Sequence, residues 1–278
     1  MLGRRLAVVF LAIVVFGPHP TRAGDATRPV RVYVFAGQSN MVGASAITSE
    51  LLTVAPGLLT PPRDVMFFGP DADRATRWGE LPAMTEPTQP FYGPGFGPEL
   101  SAAPRLAKLD PGSRVGIVKF ARNGTSLHTD WNPDRRGGLY DGLLRRIRTA
   151  YRSARDLTSR VKIAGVFWMQ GEWDADTLAN ANAYADNLAR FIGRLRADLR
   201  APHLPVVIGR IRDVRRVSVW RPYSDVVRTQ QERVAIDDPD TYLVSTDGLP
   251  IDPRSPVHFD TRGTVGLGHL FARRFATR

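Results

Sequence analysis

The chain has 278 residues, no cysteine and a formal net charge of +11, with 43% hydrophobic residues. That length and apolar content support one sizeable core, and the missing thiol excludes disulfides, thiol nucleophiles and cysteine metal sites. The basic residues are scattered and almost all arginine, densest at 209–216 with no recognition motif beside them, so they read as a basic envelope and not as a nucleic-acid surface.

Arg4 and Arg5 precede an uncharged apolar run from Leu6 to Phe16, followed by two prolines and Thr21-Arg22-Ala23. A basic start, a short apolar middle and a small-residue exit describe an export signal over 1–23. The run is short for a membrane span; the alternative is an uncleaved anchor. The expected mature chain, 24–278, is a single secreted or periplasmic domain of net charge about +8, with no stable membrane insertion.

Val30–Ala36 is the first of five apolar runs that read as buried strands. It ends on Gly37-Gln38-Ser39-Asn40. From about 45 to 104 the pattern breaks down, with ten prolines and little periodicity, which reads as an elaborated loop with one helix starting near Pro98-Glu99. Strands follow at Val115–Phe120, Ile163–Trp168, Pro205–Ile211 and Thr241–Ser245. Helical spacing falls between them, at Leu139, Leu143, Ile147 and Ala150, and at Tyr184, Leu188, Phe191 and Leu195. A last helix follows Thr261. Continuous apolar strands alternating with helices predict a three-layer α/β/α sandwich around a mostly parallel five-stranded sheet, flavodoxin-like in arrangement.

In such sheets ligands bind beyond the carboxyl ends of the strands. Each strand end here is polar: Gly37-Gln38-Ser39-Asn40, then Arg122-Asn123-Gly124-Thr125, then Gln170-Gly171-Glu172-Trp173, then a loop holding Asp247, Asp252 and His258. A serine on a tight turn at a strand end exposes its hydroxyl and turns its own N–H toward a developing oxyanion. The plain alternative is a serine that only caps a helix. Met41 stands where the α/β-hydrolase elbow requires glycine, which argues against that fold. No histidine–carboxylate cluster has metal-ligand spacing, so neither a metal nor another cofactor is expected.

The blocks "FAGQSNMVG", "GFGPEL", "KFARNGTSL", "WMQGEWDA" and "VHFDTRG" resemble, in order and over nearly the whole mature chain, the SGNH/GDSL hydrolases. More narrowly, they resemble the carbohydrate esterase family 6 and sialate O-acetylesterase-like group. The resemblance implies Ser39 as nucleophile, His258 as general base, and oxyanion donors from the N–H of Ser39, the N–H of Gly124 and the side chain of Gln170. Many relatives carry an aspartate three residues before the histidine; here it is Ser255. Some members of the group use the Gln-Gly-Glu glutamate instead, so the resemblance makes Glu172 the first choice to orient the imidazole and Asp252 the second, with Asp247 or no acid at all as the remaining readings. Gln38, Asn123, Trp173 and His128 are expected around the substrate, an acetylated carbohydrate. Trp131, Phe91, Tyr92 and Phe96 either stack on sugar or pin the long loop, and Arg122 either meets an anionic sugar or makes a surface ion pair. A short-chain carboxylesterase or thioesterase, and a non-catalytic carbohydrate-binding protein, are the competing readings; the oligomeric state is not legible.

Overall fold

Val30–Gly37 reads VRVYVFAG. β-branched and aromatic residues with apolar side chains on both faces suit a central parallel strand, and this segment forms β1, buried along almost its whole length. The computed structural model describes residues 28–60, 62–69, 78–86 and 90–278; the expected export signal lies outside them.

After β1 the chain makes a one-turn helix α1 (Ser39–Val42), a short α2 (Leu51–Val54), β2 (Val65–Phe68), β3 (Gly79–Glu80) and α3 (Glu99–Leu109). Then come β4 (Arg114–Ala121), α4 (Leu139–Arg155), β5 (Val161–Met169), α5 (Leu178–Asn182), α6 (Tyr184–Asp198) and β6 (Val206–Gly209). The last elements are α7 (Ser224–Asp237), β7 (Thr241–Val244), the pair β8 (Ile251–Asp252) and β9 (Ser255–Phe259), and α8 (Thr261–Ala276). The main sheet runs β3-β2-β4-β1-β5-β6-β7, all parallel except β3. Seven strands replace the expected five. The additions, β2 and β3, lie inside the proline-rich stretch, where four apolar residues and a Gly-Glu pair are too short to show a period.

Helices cover both faces. On one, Phe271 and Phe275 of α8 pack against Tyr33, Phe35 and Phe167, with Phe35 and Phe167 stacked at 4.6 Å. On the other, Phe191 of α6 meets Tyr140 of α4 as well as Trp131 and Trp168, which also touch each other. No helix among the described residues is long and apolar enough to cross a membrane. A cavity of about 1060 Å³ opens at the amino ends of β1 and β5, between Tyr33 and Phe275, and no predicted site residue lines it.

β1 is flanked by β4 and β5, and the chain crosses from one side of β1 to the other after β4. This is the switch point at which open α/β sheets leave a crevice. Two glycines shape the turn there. Gly37 has φ +147, and a Cβ on it would lie 2.0 Å from the carbonyl oxygen of Met169. Gly43 closes α1 at φ +84, with Phe96 O 1.8 Å from where a Cβ would stand. Both positions admit only glycine.

Beneath α1 lies a buried ionic cluster. Lys119 Nζ donates to Glu99 Oε1 at 2.7 Å and to Val42 O at 3.1 Å, and stands 3.3 Å from Glu86 Oε1. Glu99 also accepts from the Gly97 N–H and the Thr85 hydroxyl. Burial pushes the Glu86 carboxyl above its ordinary range, against the pull of Lys119. A carboxyl whose folded pKa exceeds its unfolded one favours the fold only while protonated; that contribution is complete at acid pH and is lost as pH rises through the folded value. Glu86→Gln is therefore expected to raise Tm by about 2–4 °C at pH 8, a gain that shrinks toward pH 5 in thermal melts.

Candidate active site

Ser39 is the first residue of α1, and the amides opening a helix have no carbonyl within it to bind. Its hydroxyl lies 2.9 Å from His258 Nε2, a contact bridging 219 positions of sequence. His258 comes from β9, outside the main sheet, and is buried like Ser39. Its other ring nitrogen, Nδ1, lies 2.6 Å from the hydroxyl of Ser255. A serine hydrogen-bonded to an imidazole can give up its proton to it, and a hydroxyl on Nδ1 can fix the tautomer by accepting the Nδ1–H. Burial pushes His258 down to about 4; the charge of Asp252 opposes this and that of Arg221 adds to it. The ring is therefore neutral, and able to accept a proton, through the neutral pH range.

Neither first-ranked carboxylate touches the imidazole. Glu172 is fully enclosed, and burial raises its pKa. Its Oε1 accepts from Asn40 Nδ2 at 2.6 Å. Asn40 in turn donates to Val257 O at 3.1 Å and accepts from Phe259 N at 3.0 Å. These are the backbone groups on either side of His258, so Glu172 acts on the histidine through Asn40 and the β9 backbone. Asp252 is paired with Arg254, whose Nε and N–H both bond Oδ1. Burial works to raise the Asp252 carboxyl, yet Arg254 holds it below the usual value. Asp247 is held among Arg210, Arg228 and Ser245. Short-range sequence carried the true neighbour all along: Ser255 occupies the position three before the histidine. Glu172→Gln keeps an acceptor for Asn40, so its kcat is expected to fall less than tenfold. An acid directly orienting the ring would instead lose about 10⁴ on amidation. Steady-state kinetics on p-nitrophenyl acetate separates the two.

Gln170 also departs from expectation. Its amide nitrogen is committed to Thr125 O (3.0 Å), Asp174 Oδ2 (2.6 Å) and Gln38 Oε1 (3.2 Å), and its oxygen accepts from Tyr184 OH. It ties strand ends together and has no N–H left to offer an oxyanion. Gln38 likewise turns inward, its Oε1 facing the N–H groups of Gly171 and Trp173. Asp174, which sequence reasoning passed over, organises the neighbouring loop: it accepts from Ser126 Oγ, Leu127 N and His128 N. Burial raises its pKa against these donors. The loop they hold presents Gly124 at φ +62, exposed, beside Asn123 and against the ring of Trp173. The Gly124 N–H has no partner among the described residues. The loop is anchored to β1 by the Arg122 N–H on Gly37 O at 3.0 Å.

The aromatic residues divide by burial. Trp131 and Phe96 are fully enclosed, and Trp131 Nε1 bonds Thr125 Oγ1, so both pin the loops and neither reaches a ligand. Phe91 is half exposed, its ring edge-on to His258 at 5.1 Å. Tyr92 carries Arg254 over its face, and Trp173 carries Arg221 at 4.3 Å. His128 is exposed on the rim. Among the described residues no group of histidines and carboxylates could hold a metal ion.

Residues 29–277 match the protein-family model described as carbohydrate esterase, sialic acid-specific acetylesterase. A curated relative, a probable carbohydrate esterase of Arabidopsis thaliana, is 25% identical over 257 residues, covering 89% of this chain and 90% of its own. An X-ray structure of an Arabidopsis thaliana protein superposes with TM-score 0.71 at 23% identity, over 90% of this chain and 99% of that one. NanS superposes at 0.64 with 17% identity, over 90% and 97% of the two chains. A carbohydrate acetylesterase from Xanthomonas citri superposes at 0.56 with 20% identity, over 87% of this chain and 54% of that one. At these identities the structures establish a shared fold.

Proposed function

This chain belongs to the family of carbohydrate esterases described as sialic acid-specific acetylesterases, and from that membership we propose that it removes O-acetyl groups from carbohydrate through an acyl-serine intermediate on Ser39. The observation that carries the reading is the 2.9 Å contact between Ser39 Oγ and His258 Nε2 at the sheet's switch point. Nε2 takes the hydroxyl proton as Oγ attacks the acetyl carbonyl carbon. The N–H groups of Ser39 and Gly124 face the oxyanion that develops. The proton then passes from Nε2 to the sugar oxygen as the ester C–O bond breaks, leaving acetyl-Ser39. Water, deprotonated by the same nitrogen, attacks the acyl carbon; acetate leaves and Oγ regains its proton. Ser255 holds Nδ1 throughout. Phe91, Tyr92 and Trp173 offer exposed aromatic faces of the kind that stack on sugar rings.

The pattern at 1–23 supports export and removal of a signal, which leaves one esterase domain at work outside the cytoplasm. The direct test is acetate release by the purified protein from acetylated xylan and from an acetylated sialoside, alongside p-nitrophenyl esters of increasing chain length. Acetate from either glycan supports the reading. Cleavage of medium-chain esters with no acetate from any glycan transfers the site to general carboxylesterase chemistry.

A further inference from the structure

On the sheet rim that carries Ser39, the β4–α4 connection encloses a second cavity of about 700 Å³. Five arginines line it, Arg122, Arg135, Arg136, Arg145 and Arg146, with Phe68 and Phe120 among its apolar walls. Arg146 is committed to Gly69 O and lies over the Phe120 ring. The other four are exposed, and among the described residues no carboxylate stands within ion-pair distance of any of them. Asp130 also lines the cavity, but its Oδ2 accepts from the Ser126 N–H and the Thr129 hydroxyl. Three arginines elsewhere on this rim are matched, Arg210 and Arg228 to Asp247 and Arg254 to Asp252. Gathering unmatched guanidinium groups around a concave wall concentrates positive potential where an anion can enter.

The place is as informative as the charge. Arg122 follows the carboxyl end of β4 and Phe68 ends β2, and these strands lie next to β1 in the order β2-β4-β1. At about 4.8 Å per strand the cavity runs from about 5 Å to about 10 Å along the rim from the end of β1. A carboxylate bound toward the β2 wall is offset along the rim from the acetyl carbon, as it would be on a neighbouring sugar of a chain. On the opposite flank, beyond β5, Trp173 and Trp220 are exposed, Trp220 by 77%. A chain laid across the rim would meet aromatic faces, then Ser39, then the arginines.

We propose that the arginine cavity binds the carboxylates of an acidic polysaccharide, a uronate-bearing chain whose acetyl ester is presented to Ser39 from a neighbouring sugar. The proposal rests on the esterase reading above. Planar guanidinium groups pair with carboxylates through two parallel hydrogen bonds, which suits a repeating uronate. The experiment compares acetylated polygalacturonate with acetylated neutral xylan at matched acetyl content, for wild type and for Arg136→Glu/Arg145→Glu. The expected result is a rise of at least tenfold in the ratio of KM for the uronate polymer to KM for xylan. In wild type, KM for the uronate polymer alone should climb with added salt. The charge-neutral pair Arg136→Gln/Arg145→Gln should shift the ratio in the same direction by less, which guards against a misfolded double mutant. An unchanged ratio, or equal losses on both polymers in folded variants, overturns the proposal. Failure of the esterase reading looks different: no Ser39-dependent acetate release from either polymer or from p-nitrophenyl acetate.

Discussion

Replacing Ser39 with alanine is expected to lower kcat for acetyl ester hydrolysis by about 10⁴-fold or more while leaving the fold intact. The side chain is nearly buried, and its hydroxyl makes its contact with His258. The substitution removes one oxygen and no packing atom beyond it, so thermal melts should overlay wild type within a few degrees. The variant retains the pair of N–H groups at Ser39 and Gly124 and whatever binding the rim supplies, which accelerates attack by water only weakly. The proposed acyl intermediate carries an additional signature: rapid mixing of wild type with p-nitrophenyl acetate should give a burst of nitrophenol up to one equivalent of enzyme if deacylation is the slower step, and Ser39→Ala should give none. A variant that retains activity within tenfold of wild type removes Ser39 from the chemistry, and with it the assignment of His258 as its base.

Much of this site was legible before any coordinates, for a physical reason. Parallel strands buried on both faces write themselves as continuous apolar runs, and in an open α/β sheet their carboxyl ends gather at one rim. The residues just after each run therefore spell out the crevice. That reasoning put Ser39 and His258 on one rim, and their side chains meet at 2.9 Å. It could not apportion hydrogen bonds. Glu172 and Gln170 sit at strand ends, as a catalytic acid and an oxyanion donor would, yet both point into the protein and hold its loops. A buried polar side chain must be satisfied by whatever lies nearest in space, and for Gln170 the partners include Asp174 four positions on but also Thr125 and Gln38, 45 and 132 positions away. The same limit hid β2 and the Lys119–Glu86–Glu99 cluster. The proline-rich stretch reads as loop because proline outweighs four apolar residues, although β2 gains its stability from pairing with β4, which no local window contains.

Among the described residues no carboxylate touches His258, which leads to the second large effect: Ser255→Asp is expected to make a faster enzyme at pH 8 and a slower one near pH 4. In the native site Nδ1 meets a neutral hydroxyl at 2.6 Å. That contact can fix the tautomer, but it adds no charge to stabilise the imidazolium that forms when Ser39 gives up its proton. Burial outweighs the charge of Asp252 and leaves the His258 pKa at about 4. Such a ring stays unprotonated to low pH, so wild type should keep a flat rate profile from pH 8 to about pH 5. It is also a feeble base. An aspartate at 255 adds a negative charge against Nδ1 and favours the protonated ring, which raises the pKa toward the ordinary value of about 6.5 or beyond. The base strengthens and the charge formed in the transition state is countered, so kcat at pH 8 should rise about tenfold, the return on each ~1.4 kcal/mol of stabilisation. The sign reverses in acid: with a raised pKa, His258 in the variant is protonated below about pH 6 and cannot accept the serine proton, so the acid limb of kcat/KM moves up in pH and the two profiles cross. Position 255 pairs across β8–β9 with Asp252, which Arg254 holds, so the new carboxylate enters beside an existing ion pair and thermal melts must confirm that the variant folds. Profiles of kcat/KM from pH 4 to 9 for both proteins decide the matter; a folded Ser255→Asp variant whose acid limb coincides with that of wild type would show that residue 255 does not act on the imidazole at all.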